Sequence, residues 1–388
     1  MTSELASTTS RTATASPPDR WLVAIVLTML CFPALAGLTG RSVRERARSG
    51  ESEIVRPTLA GSGGVGSWLR QMQDYLRATF GFRPDLIRWN AVLKETLDLS
   101  ERYGPVTHGL EGWLYLNVHR GTHGVRPELP FGAAELDALV ESIVSQERLV
   151  AGRGIHFLLV VAPDKESIYP DFLPLDLPAA RPVSRLDVLL GRLRSEGVAV
   201  VDLRPVLRAE RGASSRFRSW PLYHRTDSHW NELGALLGAR AVLSELRTRF
   251  GAVHVPEDDE VQVFTQEAGG GDLARLEGLQ DAAHETMVRA RVSGGCLFDP
   301  FDGHPPSNAE SRLLDPHTLE CPGAPIGRVV VLHDSMMFGM TQFLAPAFRH
   351  SIWMPTQKLD PALLGPETPD VVIREVVERF VWEHGSSR

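Results

Sequence analysis

The 388 residues are 43% apolar and 23% charged, the composition of a globular chain that can bury a full-sized core rather than of a disordered or fibrous one. A net charge of −7 leaves no basic surplus, and no finger, Walker loop or Arg-rich element occurs, which argues against nucleic acid as a partner.

Residues 1–20, rich in Ser, Thr, Ala and Pro, read as a disordered tail. Residues 21–38 (WLVAIVLTMLCFPALAGL) form an uncharged apolar run flanked by Arg20 and Arg41, close to the roughly 20 residues that a helix needs to cross a bilayer. This run is expected to be a transmembrane signal anchor; the small residues of Ala34-Leu35-Ala36 make a cleaved signal peptide the alternative. Arg41, Arg44, Arg46, Arg48 and Arg56 follow the run and only Arg11 and Arg20 precede it, a count that favours a cytoplasmic body. Large C-terminal domains, however, translocate largely regardless of such flanks.

Residues 39–100 read as a membrane-proximal linker with short helices: Gly61-Ser62-Gly63-Gly64 is a flexible break, and Gly81 and Pro84 divide an amphipathic pattern over 68–99. In the body, 101–388, a helix is expected over 134–150, with Leu136, Leu139, Val140 and Ile143 on one face. Gly152 and Gly154 stop it before a buried strand at 155–161. Ser184 and Asp187 have capping-box spacing and open a second helix, and Gly197 precedes a strand at 198–202. A helix over 232–246 and strands at 328–332 and 371–373 complete the pattern. Continuous apolar strands alternating with helices predict an α/β fold, a parallel sheet flanked by helices on both faces. Ligands in such folds bind at the carboxyl ends of strands, where residues 164–174 and His333-Asp334-Ser335 are expected to lie.

A serine becomes a nucleophile when a base takes its proton and a third group holds that base in the correct tautomer. Ser335 is expected at a strand-to-helix bend, with the backbone N–H groups of Ser335 and Met336 facing an oxyanion. His229 is the candidate base. Asp227 stands two residues before it, and in an extended segment such residues project to the same side. A serine in this position is also a common turn or cap residue, and Asp227 and His229 with His224 nearby have metal-ligand chemistry; no second His/Asp cluster stands out, and no metal or cofactor is expected. Cys296 and Cys321 lie in Gly- and Pro-rich sequence and could form a disulfide in an exported chain, the alternative being two free thiols.

Six blocks occur in order: Leu110-Glu111-Gly112-Trp113-Leu114-Tyr115; Val161-Ala162-Pro163-Asp164-Lys165 with Tyr169-Pro170-Asp171-Phe172-Leu173-Pro174; Thr226-Asp227-Ser228-His229-Trp230-Asn231; Gly271-Asp272-Leu273; His333-Asp334-Ser335; and Pro369-Asp370-Val371-Val372-Ile373 with Glu378-Arg379. Together they resemble the SGNH hydrolase-like domain of the alginate O-acetyltransferase family, over roughly residues 75–388. The resemblance implies that Asp227, His229 and Ser335 are acid, base and nucleophile of a triad. It also implies a periplasmic catalytic domain held at the inner membrane by a single N-terminal segment, and a membrane-bound O-acyltransferase partner that supplies acetyl groups for a polysaccharide acceptor. The glycine that the family places before Asp334 is His333 here, so a turn requiring positive φ would be strained.

Gly112-Trp113 is assigned to a tight turn followed by a core aromatic. Asp164 and Lys165 read as an internal ion pair, with a site role the alternative. Trp230 is expected to pack under the imidazole or to form a sugar platform, and Tyr223 and Arg374 are candidate contacts for the acyl oxyanion or the glycan. The expected activity is acetyl transfer through an acetyl-serine. An esterase using the same residues with water, and a catalytically inert polysaccharide-assembly subunit, are the rivals.

Overall fold

The computed structural model describes residues 105–117, 132–174, 183–212, 215–280, 283–292, 315–365 and 368–385, together with Thr58, Trp68 and Met72. The expected anchor at 21–38, the tail before it and Cys296 lie outside the described residues. Among the described residues no helix is long and apolar enough to cross a membrane. The body falls in one unit, Leu97–Arg388.

The body opens with an antiparallel pair, β1 (Val106–His108) and β2 (Leu114–Leu116), joined by a 3-10 turn in which Glu111 and Gly112 have φ of 55° and 77°. Trp113 leaves this turn into the core, stacked on Tyr169 and Phe172 at 4.4 and 4.8 Å between ring centroids. Helix α1 (Ala133–Ala151) buries Leu139, Val140, Ile143 and Val144, and β3 (His156–Ala162) follows. After the short α2 (Lys165–Ile168), α3 (Arg185–Ser195) begins at the expected capping box: the Ser184 hydroxyl accepts from the Asp187 N–H, and the Asp187 carboxylate accepts from the Ser184 N–H. Such a cap stabilises a helix by about 1 kcal/mol.

Strand β4 (Val200–Asp202) and α4 (Arg204–Glu210) precede the long α5 (Glu232–Phe250). A hairpin of β5 (Val261–Gly269) and β6 (His284–Val292), with α6 (Asp272–Leu276) between its strands, forms a separate two-stranded sheet. The last elements are β7 (His317–Glu320), β8 (Ile326–Leu332), α7 (Met337–Leu344), β9 (Phe348–Met354) and β10 (Val371–Val377).

The main sheet has the order β4-β3-β10-β8-β9-β7. All neighbours are parallel except β7, which runs antiparallel to β9 at the edge. Alternate residues supply two cores. Leu158, Val160, Val329, Val331 and Ile373 pack with α5 and α7 on one face. Phe157, Leu159, Val161, Val330, Val372 and Val376 pack with α1 and α3 on the other. Burying each such side chain contributes about 1.5–3 kcal/mol, and two covered faces explain why these strands read as continuous apolar runs.

Strand β10, last in the chain, is inserted between β3 and β8, with Val377 opposite Ala162 and Arg374 opposite Leu332. The turns after all three strands therefore meet at one edge of the sheet. There the Asp164 N–H donates to Glu378 at 3.1 Å and the Val377 N–H to Asp334 at 2.7 Å.

Candidate active site

The segment from Leu222 to Asn231 closes on itself through an antiparallel bridge between Tyr223 and Trp230, an N–H bond from His224 to the His229 carbonyl at 3.3 Å, and one from Asn231 to the Leu222 carbonyl at 3.0 Å. Its base is anchored by Asn231, whose side chain caps α5 at the Gly234 N–H and donates to the Pro221 carbonyl. Gly234 permits this docking: a Cβ there would stand 2.2 Å from the Leu222 carbonyl oxygen.

Asp227 and His229 are presented on the far side of the segment. Asp227 Oδ1 accepts both the His229 backbone N–H at 2.9 Å and its Nδ1–H at 2.7 Å. A carboxylate has no proton to give, so the hydrogen of that contact belongs to Nδ1, and Nε2 is left as an acceptor. Nε2 lies 2.8 Å from Ser335 Oγ. The other Asp227 oxygen accepts the Asp272 N–H at 2.9 Å. Gly271 makes that approach possible, because a Cβ on it would lie 2.4 Å from the Asp227 Cβ.

Ser335 stands in the turn between β8 and α7. The His333 N–H donates to the Met354 carbonyl, and the Asp334 carboxylate accepts the N–H groups of Met336 at 2.9 Å and Val377 at 2.7 Å. The oxyanion role expected of Met336 is thereby corrected: its N–H is taken by Asp334, two residues earlier. The Ser335 N–H has no hydrogen-bond partner among the described residues. Glu111 is the only non-glycine with positive φ among them, so His333 occupies an ordinary backbone region and the turn needs no glycine. The His333 ring packs edge-on against Phe338 and Trp353, and burial pushes its pKa down to about 4.

Burial opposes charge on both Asp227 and His229, yet their mutual attraction prevails: the Asp227 carboxyl is held well below its usual range and the imidazole above its own. Behind them, burial raises Asp334 and, helped by the Asp334 charge, Glu375, which accepts the Asp334 N–H. Burial and the Asp164 charge push Glu378 up to about 7.

Asp164 and Lys165 are not paired with each other. Asp164 binds Arg379, while the Lys165 ammonium donates to the carbonyls of Leu114, His224 and Arg225 at 2.6, 2.9 and 3.1 Å. The two residues open a helix and diverge from it, so one ties β3 to the end of β10 and the other pins the segment bearing His229 to β2. Burial lowers the Lys165 pKa to about 8, and three acceptors call for its three ammonium hydrogens.

Tyr223 is fully buried with its hydroxyl on the Pro163 carbonyl, so it offers no contact to an oxyanion or glycan. Arg374 likewise lies inside, between Leu159 and Leu332, with Nε on Gln357 Oε1 and its pKa lowered to about 10 by burial. Trp230 is 4% exposed and donates its indole N–H to the Met336 carbonyl, which leaves no face for a sugar. Cys321 is disulfide-bonded; Cys296, its expected partner, is outside the described residues.

Two acids were not singled out by residue pattern. Asp272 accepts the Ser228 N–H and hydroxyl at 2.7 and 2.6 Å. Glu285, from β6, accepts the N–H groups of Arg225 and Thr226 and the Thr226 hydroxyl. Gly271-Asp272-Leu273 was the available signal for the first; Glu285 sits in a hairpin whose pairing no local motif announces. Asp227, His229 and Asp272 have donor atoms within 4.8 Å of one another, the spacing of a metal site. The nearest imidazole nitrogen and the oxygens of both acids already take part in the hydrogen bonds described, which an ion would have to displace.

The family described as "SGNH hydrolase-like domain, acetyltransferase AlgX" matches residues 106–313, a shorter span than 75–388; it includes Asp227, His229 and Asp272 and ends before Ser335. The probable alginate O-acetylase AlgJ of Pseudomonas aeruginosa is 32% identical over 202 residues, 51% of this chain and 47% of that protein. The chain thus spans about half the length of this curated relative. Among solved structures it is similar to Bacillus cereus PatB1, with a TM-score of 0.52 and 15% identity over 70% of this chain and 95% of that one. It is also similar to a DHHW family protein from Eubacterium siraeum, with a TM-score of 0.50 and 16% identity over 73% and 98%. These two share its fold. The chain belongs to the AlgX family of SGNH hydrolase-like acetyltransferase domains.

Proposed function

We propose that this chain is an O-acetyltransferase that moves acetyl groups onto hydroxyls of an exported polysaccharide through an acetyl-serine on Ser335. The observation that carries the proposal is the hydrogen-bonded line from Asp227 through His229 to Ser335, with contacts of 2.7 and 2.8 Å.

In the first half-reaction His229 Nε2 takes the Ser335 proton as Oγ bonds to the acetyl carbon, and Asp227 steadies the imidazolium at Nδ1. The Ser335 N–H, beside the start of α7, donates to the developing oxyanion. Collapse breaks the bond to the donor's leaving group, which receives the proton from His229. In the second half-reaction a sugar hydroxyl gives its proton to His229 and attacks the acetyl-serine; the Ser335 oxygen leaves and recovers the proton. Transfer rather than hydrolysis requires the sugar hydroxyl to be oriented and water excluded.

The body is placed on the periplasmic side of the inner membrane, anchored by residues 21–38, with acetyl groups delivered by a membrane-bound O-acyltransferase partner. The resemblance of the six sequence blocks and the uncharged run support this arrangement.

The test offers 4-nitrophenyl acetate with neutral and acidic oligosaccharides to the wild-type chain and to Ser335→Ala, and follows acetylated sugar by mass spectrometry. Acetylated sugar from the wild type alone is expected. Acetate release without acetylated sugar assigns an esterase. No turnover, with cellular polymer acetylation unchanged in the variant, assigns an inert assembly subunit.

A further inference from the structure

The first turn of α6 lies across the peptide that carries the base. Leu273 and Ala274 N–H groups both donate to the Thr226 carbonyl at 3.1 Å, and the Gly271 N–H donates to the Thr226 hydroxyl at 2.9 Å. Asp272 adds three contacts: its N–H to Asp227 Oδ2 at 2.9 Å, and its carboxylate to the Ser228 N–H and hydroxyl at 2.7 and 2.6 Å. Its Oδ2 then stands 3.7 Å from His229 Nδ1. We propose that Asp272 is a positioning residue for His229: it holds Asp227 by its backbone, locks the intervening Ser228 by its side chain, and places a second negative charge beside the imidazole.

The inference rests on the reading of Asp227, His229 and Ser335 as the reacting groups. Burial opposes the protonated imidazole, Asp227 and Asp272 favour it, and Arg379, from the turn after β10, opposes it. Asp334 on the nucleophile turn and His224 on the same segment also face this group, and burial lowers the His224 pKa. The Asp272 carboxylate accepts two hydrogen bonds from Ser228, which fix it beside the imidazole. Asp272→Asn retains the backbone N–H and an acceptor oxygen for Ser228 but removes the charge.

The test compares the full-length wild type, Asp272→Asn, Asp272→Glu, Ser228→Ala and Ser335→Ala, with 4-nitrophenyl acetate as probe. It reads kcat/KM from about pH 5 to 9, thermal stability, and the His229 titration by 15N NMR. In Asp272→Asn the acid limb and the imidazole titration move to lower pH by about half a unit or more, and kcat falls roughly 3- to 30-fold. Asp272→Glu restores the wild-type limb, and Ser228→Ala lowers kcat without moving the limb. A wild-type acid limb in Asp272→Asn, with turnover abolished in Ser335→Ala, overturns the role of Asp272 alone. Turnover retained in Ser335→Ala overturns the reading of the site as well. If Asp272→Asn does not fold, Asp272→Ser, which keeps the N–H and a hydroxyl, supplies the same comparison with the same two results.

Discussion

The indole N–H of Trp230 donates to the Met336 carbonyl at 2.9 Å, joining the segment that carries His229 to the turn that carries Ser335. His229 and Ser335 directly precede these two residues, so this bond sets the spacing between imidazole and hydroxyl. Trp230→Phe keeps an aromatic ring at this place and removes the donor. The Met336 carbonyl, at the N-cap of α7, keeps its intrahelical partner, so losing this bond costs about 0.5–1.5 kcal/mol. Urea unfolding is expected to register that loss, and kcat is expected to fall about 10-fold or more, since a base must lie within hydrogen-bond reach of its proton.

Asp227→Asn presents an amide where the imidazole needs an acceptor, which permits the wrong tautomer and removes the charge that raises the His229 pKa. The rate is expected to drop on the order of 10³–10⁴-fold with folding preserved, as in serine hydrolases whose triad acid is made an amide. In the wild type kcat/KM falls as pH decreases through a His229 pKa above the ordinary imidazole value, because the protonated imidazole cannot act as base. A pH–rate profile checks both statements.

Much of this segment's local structure was legible in the sequence, since the residues of Asp227-Ser228-His229-Trp230-Asn231 have local tasks. Asp227 and His229 share a side, and Asn231 caps a helix whose apolar pattern was evident. Helices α1, α3 and α5 were legible from apolar spacing and capping residues, and strands β3, β4, β8 and β10 from continuous apolar runs. Strand β9 and the hairpin β5–β6 were not, because Arg349 and His350, or the exposed polar residues of 265–267, break such a run. The Met336 N–H could not be assigned from sequence either, since an oxyanion and the Asp334 carboxylate compete for the same donor.

Gly271→Ala tests the close approach beneath Asp227. The added carbon would meet the Asp227 Cβ at 2.4 Å and Oδ2 at 2.6 Å, so the acid must move. Turnover is expected to fall at least about 10²-fold, in line with the cost of an ångström-scale misplacement, while circular dichroism stays that of the wild type.

Lys165→Met fills similar space with no donor and abandons three carbonyls. A loss of about 3 kcal/mol in urea unfolding is expected. Amide exchange should quicken at 224–225 more than in α1, because the lysine pins that segment and makes no hydrogen bond to the helix.

The central claim is a covalent acetyl group on Ser335, and peptide mass spectrometry after rapid acid quenching of the full-length chain with 4-nitrophenyl acetate tests it most directly. The account predicts one added acetyl group on the peptide containing Ser335, absent in Ser335→Ala and strongly reduced in His229→Ala. Wild-type turnover with that peptide unmodified at every quench time, or undiminished turnover in Ser335→Ala, would contradict it.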